Sequence, residues 1–266
     1  MSKINEVIHG IHHMDDVAAK DSTINNLHPL SKIIVTFIYI VVVVSFDKYD
    51  FYGVISMGIY LYGVSVISDI PLSNSFKNMK VVLILVCIVG IGNPFFDRKI
   101  IFSISGIDIT YGMVSMVTLM IKGIFTVCAA YFLIVTTSIE KICYGLRILH
   151  IPKGIVTVVM LIYRYIIVLL KETERMMQAY KLRAPYQKGI NIKAWGSFAG
   201  QLLLRSIDRA EIVYESMLLR GFNGNFIINN HKGKVILSIA YASVWCLIFI
   251  ILRVMPLFKI IGSIVV

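Results

Sequence analysis

The sequence predicts an all-α polytopic membrane protein with about five transmembrane helices and two long cytoplasmic helices. Three observations lead there. The 266-residue chain is 58% hydrophobic and only 15% charged, with a mean hydropathy of +0.80, whereas soluble domains carry about 25% charged residues. Its apolar residues are gathered into separate runs whose lengths approach the roughly 20 residues that cross about 30 Å of hydrocarbon. Between the fourth and fifth runs lie two long stretches of helical periodicity, each closed by a short basic element.

The elements follow in order. Residues 1–28 are polar, with His9, His12, His13, Asp15, Asp16 and Asp21 and no apolar leader-like core, so insertion is expected to depend on the chain's own spans. Apolar runs at 31–46, 51–67, 81–92, 111–135 and 235–252 read as the five spans. Asp47-Lys48-Tyr49-Asp50 separates the first two, and Asn93-Pro94 stops the third. The first and third are short, so they extend into flanking polar residues or sit in thinned bilayer, and the third could instead be re-entrant. The chain thus divides into an N-terminal membrane region of four spans (1–136), a cytoplasmic region that is partly membrane-embedded (137–234), and a final span with its tail (235–266). Cys87, Cys128, Cys143 and Cys246 stand singly, with no CxxC spacing to suggest a disulfide framework or a zinc site.

Charge orients these spans. Of the 26 lysines and arginines, 20 fall in residues 1–32, 68–80 and 137–234, and five in the alternating segments. The positive-inside rule then places the N-terminus and residues 137–234 in the cytoplasm and the C-terminus outside. Topology and anionic lipid account for the net charge of +11; nucleic acid is not an expected partner.

Within 137–234, residues 138–150 form a short amphipathic helix with Ile139, Ile142, Leu146 and Leu149 on one face. Pro152 opens a long helix at a position proline favours. Residues 155–170 are apolar all round except at Arg164, the half from Lys171 onward is polar, and Pro185 ends the helix, because the residue before a proline avoids the α region. A second helix over 192–220 carries the apolar stripe Phe198, Leu202, Leu203, Ile207, Ala210, Tyr214 and Met217, with Gly221 placed as a left-handed C-cap. Two such helices can cross stripe to stripe and keep polar tips.

The two helices end alike, in Leu182-Arg183-Ala184 and Leu219-Arg220-Gly221, thirty-seven positions apart. A cation in the last turn of a helix needs no function, since the helix dipole favours it by up to about 1 kcal/mol. A guanidinium projecting past a helix end can also make bidentate, charge-assisted bonds to a partner's carboxylate.

Several motifs carry a family resemblance. They are Asp15-Asp16-Val17-Ala18-Ala19, Leu27-His28-Pro29-Leu30-Ser31-Lys32, Thr136-Thr137-Ser138, Tyr163-Arg164-Tyr165, Glu172-Thr173-Glu174-Arg175-Met176 and Glu215-Ser216-Met217-Leu218-Leu219-Arg220-Gly221-Phe222-Asn223-Gly224. Together they resemble the transmembrane T component of energy-coupling-factor (ECF) transporters, closest to its cobalt-type, CbiQ-like branch. The family pattern is Ala-Arg-Gly at both helix ends; here the arginines stay, but the first element reads Leu-Arg-Ala and lacks the glycine.

The resemblance implies a scaffold whose two long helices are coupling helices. It would join two ATP-binding-cassette ATPase subunits to a membrane-embedded substrate-capture subunit, of the cobalt type before nickel or a vitamin, in the cell membrane of a prokaryote. Arg183, Arg220, Leu182, Ala184, Leu219, Gly221 and Glu215 would carry the ATPase coupling. The sequence has no G-x-x-x-x-G-K-[ST] phosphate loop, so the chain itself is expected to be neither an enzyme nor the holder of a cofactor or resident metal. The rival classes are a stand-alone secondary transporter, which usually needs acids at membrane depth, and an intramembrane enzyme, which needs a catalytic cluster there; the spans offer neither. The His9, His12, His13, Asp15 and Asp16 tail has donors that suit a divalent metal, but it reads more simply as a polar segment at the membrane surface. Lys122 and Arg164 are the clearest charges at membrane depth; Lys122 has no acid within a span to pair with, and Arg164 is near enough to the boundary to snorkel.

Overall fold

The computed structural model describes residues 3–19, 22, 24, 25, 27–68, 70, 80–92, 100–104, 107–187, 189–224 and 235–254. They form α1 (Lys3–Ala19), α2 (Pro29–Ser45), α3 (Phe51–Ser56), α4 (Gly58–Ser68), α5 (Lys80–Ile91), β1 (Ile100–Ile104), β2 (Ile107–Thr110), α6 (Tyr111–Thr136), α7 (Ile139–Ile148), α8 (Lys153–Arg183), α9 (Ile192–Leu219) and α10 (Val235–Val254). The fold is all-α and polytopic in character, with one small hairpin added. The chain forms two compact units, one of residues 17–138 and 231–266, the other of residues 1–16 and 139–230.

The first unit is a bundle of apolar helices. The α3–α4 segment Phe51–Ser68, most of α6 (Gly112–Thr136) and α10 are long and apolar enough to cross a membrane, and α2 is a shorter apolar helix of 17 residues. Val35, Tyr39 and Val43 of α2 pack with Met57, Tyr60 and Val64 of the α3–α4 segment, Cys128 and Phe132 of α6, and Trp245 and Phe249 of α10. Aromatic edges and faces bind this core, with Tyr39–Tyr60 centroids 4.4 Å apart and Tyr60–Trp245 centroids 4.9 Å apart. The buried hydroxyls are satisfied: Tyr39 donates to the Met57 carbonyl at 3.2 Å, and Thr36 and Tyr60 share a bond of 3.3 Å. Gly123 of α6 lets Val86 of α5 sit where a side chain would otherwise stand, the close approach that small residues give membrane helices. Phe37, Val41, Val44, Tyr62 and Ile236 point outward, a surface that suits lipid.

One detail departs from the sequence reading. Residues 100–104 and 107–110 form an antiparallel pair of strands in which Ile104 pairs with Ile107 and Phe102 with Ile109, with a bulge between Ile100 and Phe102. The signal was present, since β-branched residues flank a Ser-Gly pair. The third apolar run gives a short helix, as its length suggests, of 12 residues, about 18 Å long, and Asn93-Pro94 lies outside the described residues.

The second unit contains α7, α8 and α9. α8 begins after Pro152 and stops two residues before Pro185, as the two prolines dictate. It is also long and apolar enough to cross a membrane. α9 starts at Asn191, whose side chain accepts from the Lys193 amide at 3.2 Å. α7 ends in a way the sequence reading missed. His150 has φ +62°, its amide donates to the Arg147 carbonyl, and the Ile151 amide donates to that of Leu146. This is a Schellman closure with histidine where glycine is usual.

Candidate functional site

The α8 end is built by proline. Arg183 is the last helical residue, and Ala184 follows with φ −132° and ψ 66°, a conformation that needs no glycine. The Ala184 amide still donates to the Tyr180 carbonyl at 3.0 Å. Tyr180 then organises the turn: its hydroxyl donates to Gln187 Oε1 at 2.7 Å and accepts the Asn191 amide at 3.3 Å. The turn is therefore fixed to both helices it joins. Leu182 is 84% exposed, Arg183 is exposed beside it, and Ala184 is half-buried.

The α9 end is built by glycine. Arg220 is the C-cap, and Gly221 takes φ +78°. The Gly221 amide donates to Leu218 at 2.9 Å, and the Phe222 amide reaches back to Met217 at 3.0 Å. These two bonds are the Schellman pattern, and the Phe222 ring turns in beside Met217 as the accompanying apolar contact. Leu219 is 90% exposed, and Arg220, Gly221 and Glu215 are exposed with it. Among the described residues, no carboxylate lies within ion-pair distance of either Arg183 or Arg220.

The helices run antiparallel, because Glu172 meets Arg205 while Thr157 and Leu161 face Met217 and Phe222. Arg183 and Arg220 therefore sit at opposite ends of the pair, separated by the length of α9, 28 residues or about 42 Å. Glu172 ties the crossing together by pairing with Arg205 of α9 and, at 3.7 Å, with Arg175 of its own helix. Beside this pair opens an apolar cleft of about 420 Å³, walled by Leu161, Tyr165 and Leu169 on α8 and by Val213, Met217 and Phe222 near the α9 end.

The stripes pack only partly. α9 has no buried residue; Phe198, Leu202 and Met217 are half-covered, whereas Leu203, Ile207, Ala210 and Tyr214 are exposed. The antiparallel crossing is short, so much of the stripe has no cover among the described residues.

Other residues singled out by sequence fall elsewhere. Lys122 donates to the carbonyls of Phe46 and Val44, and no carboxylate among the described residues forms an ion pair with it. Arg164 is exposed on α8. His9, His12 and Asp16 lie on α1, while the side chains of His13 and Asp15 are outside the described residues. Among the described residues, no three His, Cys, Asp or Glu side chains converge on a metal-sized site. Lys32, named from the sequence only as the last residue of the 27–32 motif, is 4% exposed; a lysine inside an apolar helix was the available signal for a role of its own.

A bundle of apolar helices and, in the second unit, two long helices that each end in an exposed Leu-Arg element define a multi-pass membrane protein. The comparisons specify the class. Residues 20–235 match the family model of CbiQ, cobalt transport protein, and the chain belongs to that family, the transmembrane T components of ECF transporters in the prokaryotic cell membrane. It is 26% identical over 218 residues to the energy-coupling factor transporter transmembrane protein EcfT of Thermosediminibacter oceani, covering 76% of this chain and 82% of that one. It is 30% identical over 169 residues to an uncharacterised protein of Methanocaldococcus jannaschii, covering 59% of this chain and 58% of the relative. A putative fused cobalt transport protein, CbiMQ, of Methanocorpusculum labreanum is 29% identical over 109 residues, 41% of this chain and 18% of that much longer one.

Proposed function

We propose that this chain is the scaffold of an ECF-type importer. It couples ATP hydrolysis by two ATP-binding-cassette subunits to uptake through a separate substrate-capture subunit in the membrane. The observation that carries this reading is the pair of exposed Leu-Arg helix ends, each cation without an ion-pair partner among the described residues. Arg183 and Arg220 would bind carboxylates in the ATPases; Leu182 and Leu219 would fill apolar pockets beside them; Ala184, Gly221 and Glu215 would shape the contact. A spacing of about 42 Å fits one end to each of two ATPase copies. Hydrolysis belongs to those subunits and not to this chain. Residues 137–234 are the cytoplasmic and partly embedded coupling region, and the remainder is the membrane body.

Cobalt is the proposed substrate, supported by the family description and by the name of the fused relative. Nickel comes next, and then a vitamin. Copurification of the full complex with metal analysis decides among them. Losing a charge-assisted bond at a partly buried interface costs about 2–5 kcal/mol, so the Arg183→Glu/Arg220→Glu double variant is expected to insert normally yet lose both ATPases and uptake. Normal uptake by that variant would sink the proposal.

A further inference from the structure

α2 and α6 cap each other. The Lys122 ammonium of α6 donates to the Phe46 and Val44 carbonyls at the C-terminal end of α2, and Arg253 of α10 joins it there, donating to the Ser45 carbonyl at 3.1 Å. At the other end, Lys32 of α2 donates to the Thr136 carbonyl at 2.9 Å and to Thr137 Oγ1 at 3.3 Å, where α6 terminates. A helix end leaves its last carbonyls without intrahelical donors and gathers negative potential there. Each lysine thus serves the end of the opposite helix.

The two clasps differ in place. Lys122 is half-exposed. Lys32 is 4% exposed, and Thr136 and Thr137 are 3% and 0% exposed. Lys32 also lies in the first turn of α2, where its own helix dipole disfavours a cation; the carbonyl end of α6 works against that cost. One residue past Thr137, at 138/139, the chain passes from the membrane bundle into the unit that carries both Leu-Arg ends. The clasp brings together the motifs 27–32 and 136–138, neither of which the helix ends account for.

From this arrangement we infer that Lys32 is a positioning residue for coupling: it anchors the end of α6, so that movement of residues 139–230 is delivered to the bundle instead of being absorbed by fraying at the joint. The chemically similar Lys122 clasp holds the bundle but has no part in transmission. The coupling role rests on the scaffold reading above; the anchoring role does not.

The test compares Lys32→Met, Lys32→Arg and Lys122→Met. In the isolated chain, Lys32→Met is expected to speed amide exchange over residues 136–142 several-fold and Lys122→Met to leave it unchanged. Unaltered exchange in Lys32→Met overturns the anchor. In the complete complex in proteoliposomes, Lys32→Met should keep both ATPases and hydrolyse ATP while uptake per ATP falls several-fold. Lys32→Arg should recover most of that ratio, and Lys122→Met should lower thermal stability with the ratio intact. Equal loss of coupling in both methionine variants, or none in Lys32→Met, overturns the positioning role. If Lys32→Met fails to accumulate, Thr137→Val takes its place, with a smaller fall in the ratio expected and an unchanged ratio counting against the idea. A wild-type complex that takes up substrate without ATP would instead sink the scaffold reading, leaving the exchange result to decide the anchor.

Discussion

Two helix ends with the same Leu-Arg signature are closed by different physics. At Gly221 the backbone turns left-handed, and two amide bonds reseal the last carbonyls of α9. At Ala184 it stays at negative φ, Pro185 forbids continuation, and Tyr180 braces the turn from within. Exposure of the Leu-Arg pair is common to both; the cap chemistry is not. The shared feature is therefore the leucine and cation presented past the last turn. The glycine of the family pattern is one of two ways to present them.

The largest effect should come from the shared feature. Arg183→Glu and Arg220→Glu, tested singly, should each weaken ATPase association by about 2–5 kcal/mol, at least about thirtyfold, with insertion unaffected. Reversing the charge also places an anion at a helix C-terminus, which the dipole disfavours. Similar losses, measured by binding of purified ATPase to each variant, would establish the two ends as equivalent anchors. A loss confined to Arg220→Glu would break the equivalence and leave the proline-closed end as a turn only.

The second effect separates the caps. A Cβ on Gly221 meets no atom within 4 Å, so Gly221→Ala isolates the cost of the left-handed backbone, about 1–2 kcal/mol, read as a lower melting temperature and weaker ATPase binding. Gly221→Asn should recover part of this, because asparagine tolerates that region. Ala184→Gly should leave binding unchanged and cost at most about 1 kcal/mol of stability through the entropy of the unfolded chain. If Ala184→Gly instead tightened binding, the first end would adopt a glycine-type cap in the complex, and the contrast would belong to the free subunit alone.

What could be read in advance follows the same division. Hydropathy located the apolar helices because a bilayer span is a local property of composition. Prolines 152 and 185 and Gly221 marked helix boundaries because each restricts its own φ or its neighbour's. His150 left no such mark: a histidine in the left-handed region is uncommon, and the two bonds that hold it there are not visible in composition. Lys122 and Lys32 were opaque for another reason. Their shortest bonds go to carbonyls at positions 46 and 136, and a backbone acceptor has no residue type to search for. The α9 stripe is longer than its crossing covers, because periodicity gives the face of a helix but not the length of its neighbour.

The smallest effect concerns the brace that stands in for glycine. Tyr180→Phe removes only the hydroxyl that links Gln187 to Asn191. Both bonds are solvent-exposed, so the loss should be near the lower end of the usual range, about 0.5 kcal/mol, with no measurable change in global stability. The Asn191 amide, however, gives its proton to that oxygen, and Asn191 is also the N-cap of α9. Hydrogen exchange at Asn191 should therefore quicken about twofold while exchange over residues 217–222 stays at its wild-type rate. Equal change at both ends would mean that the caps are coupled through the crossing at Glu172 and Arg205. In that case Glu172→Gln should abolish the effect at 217–222 and preserve it at Asn191.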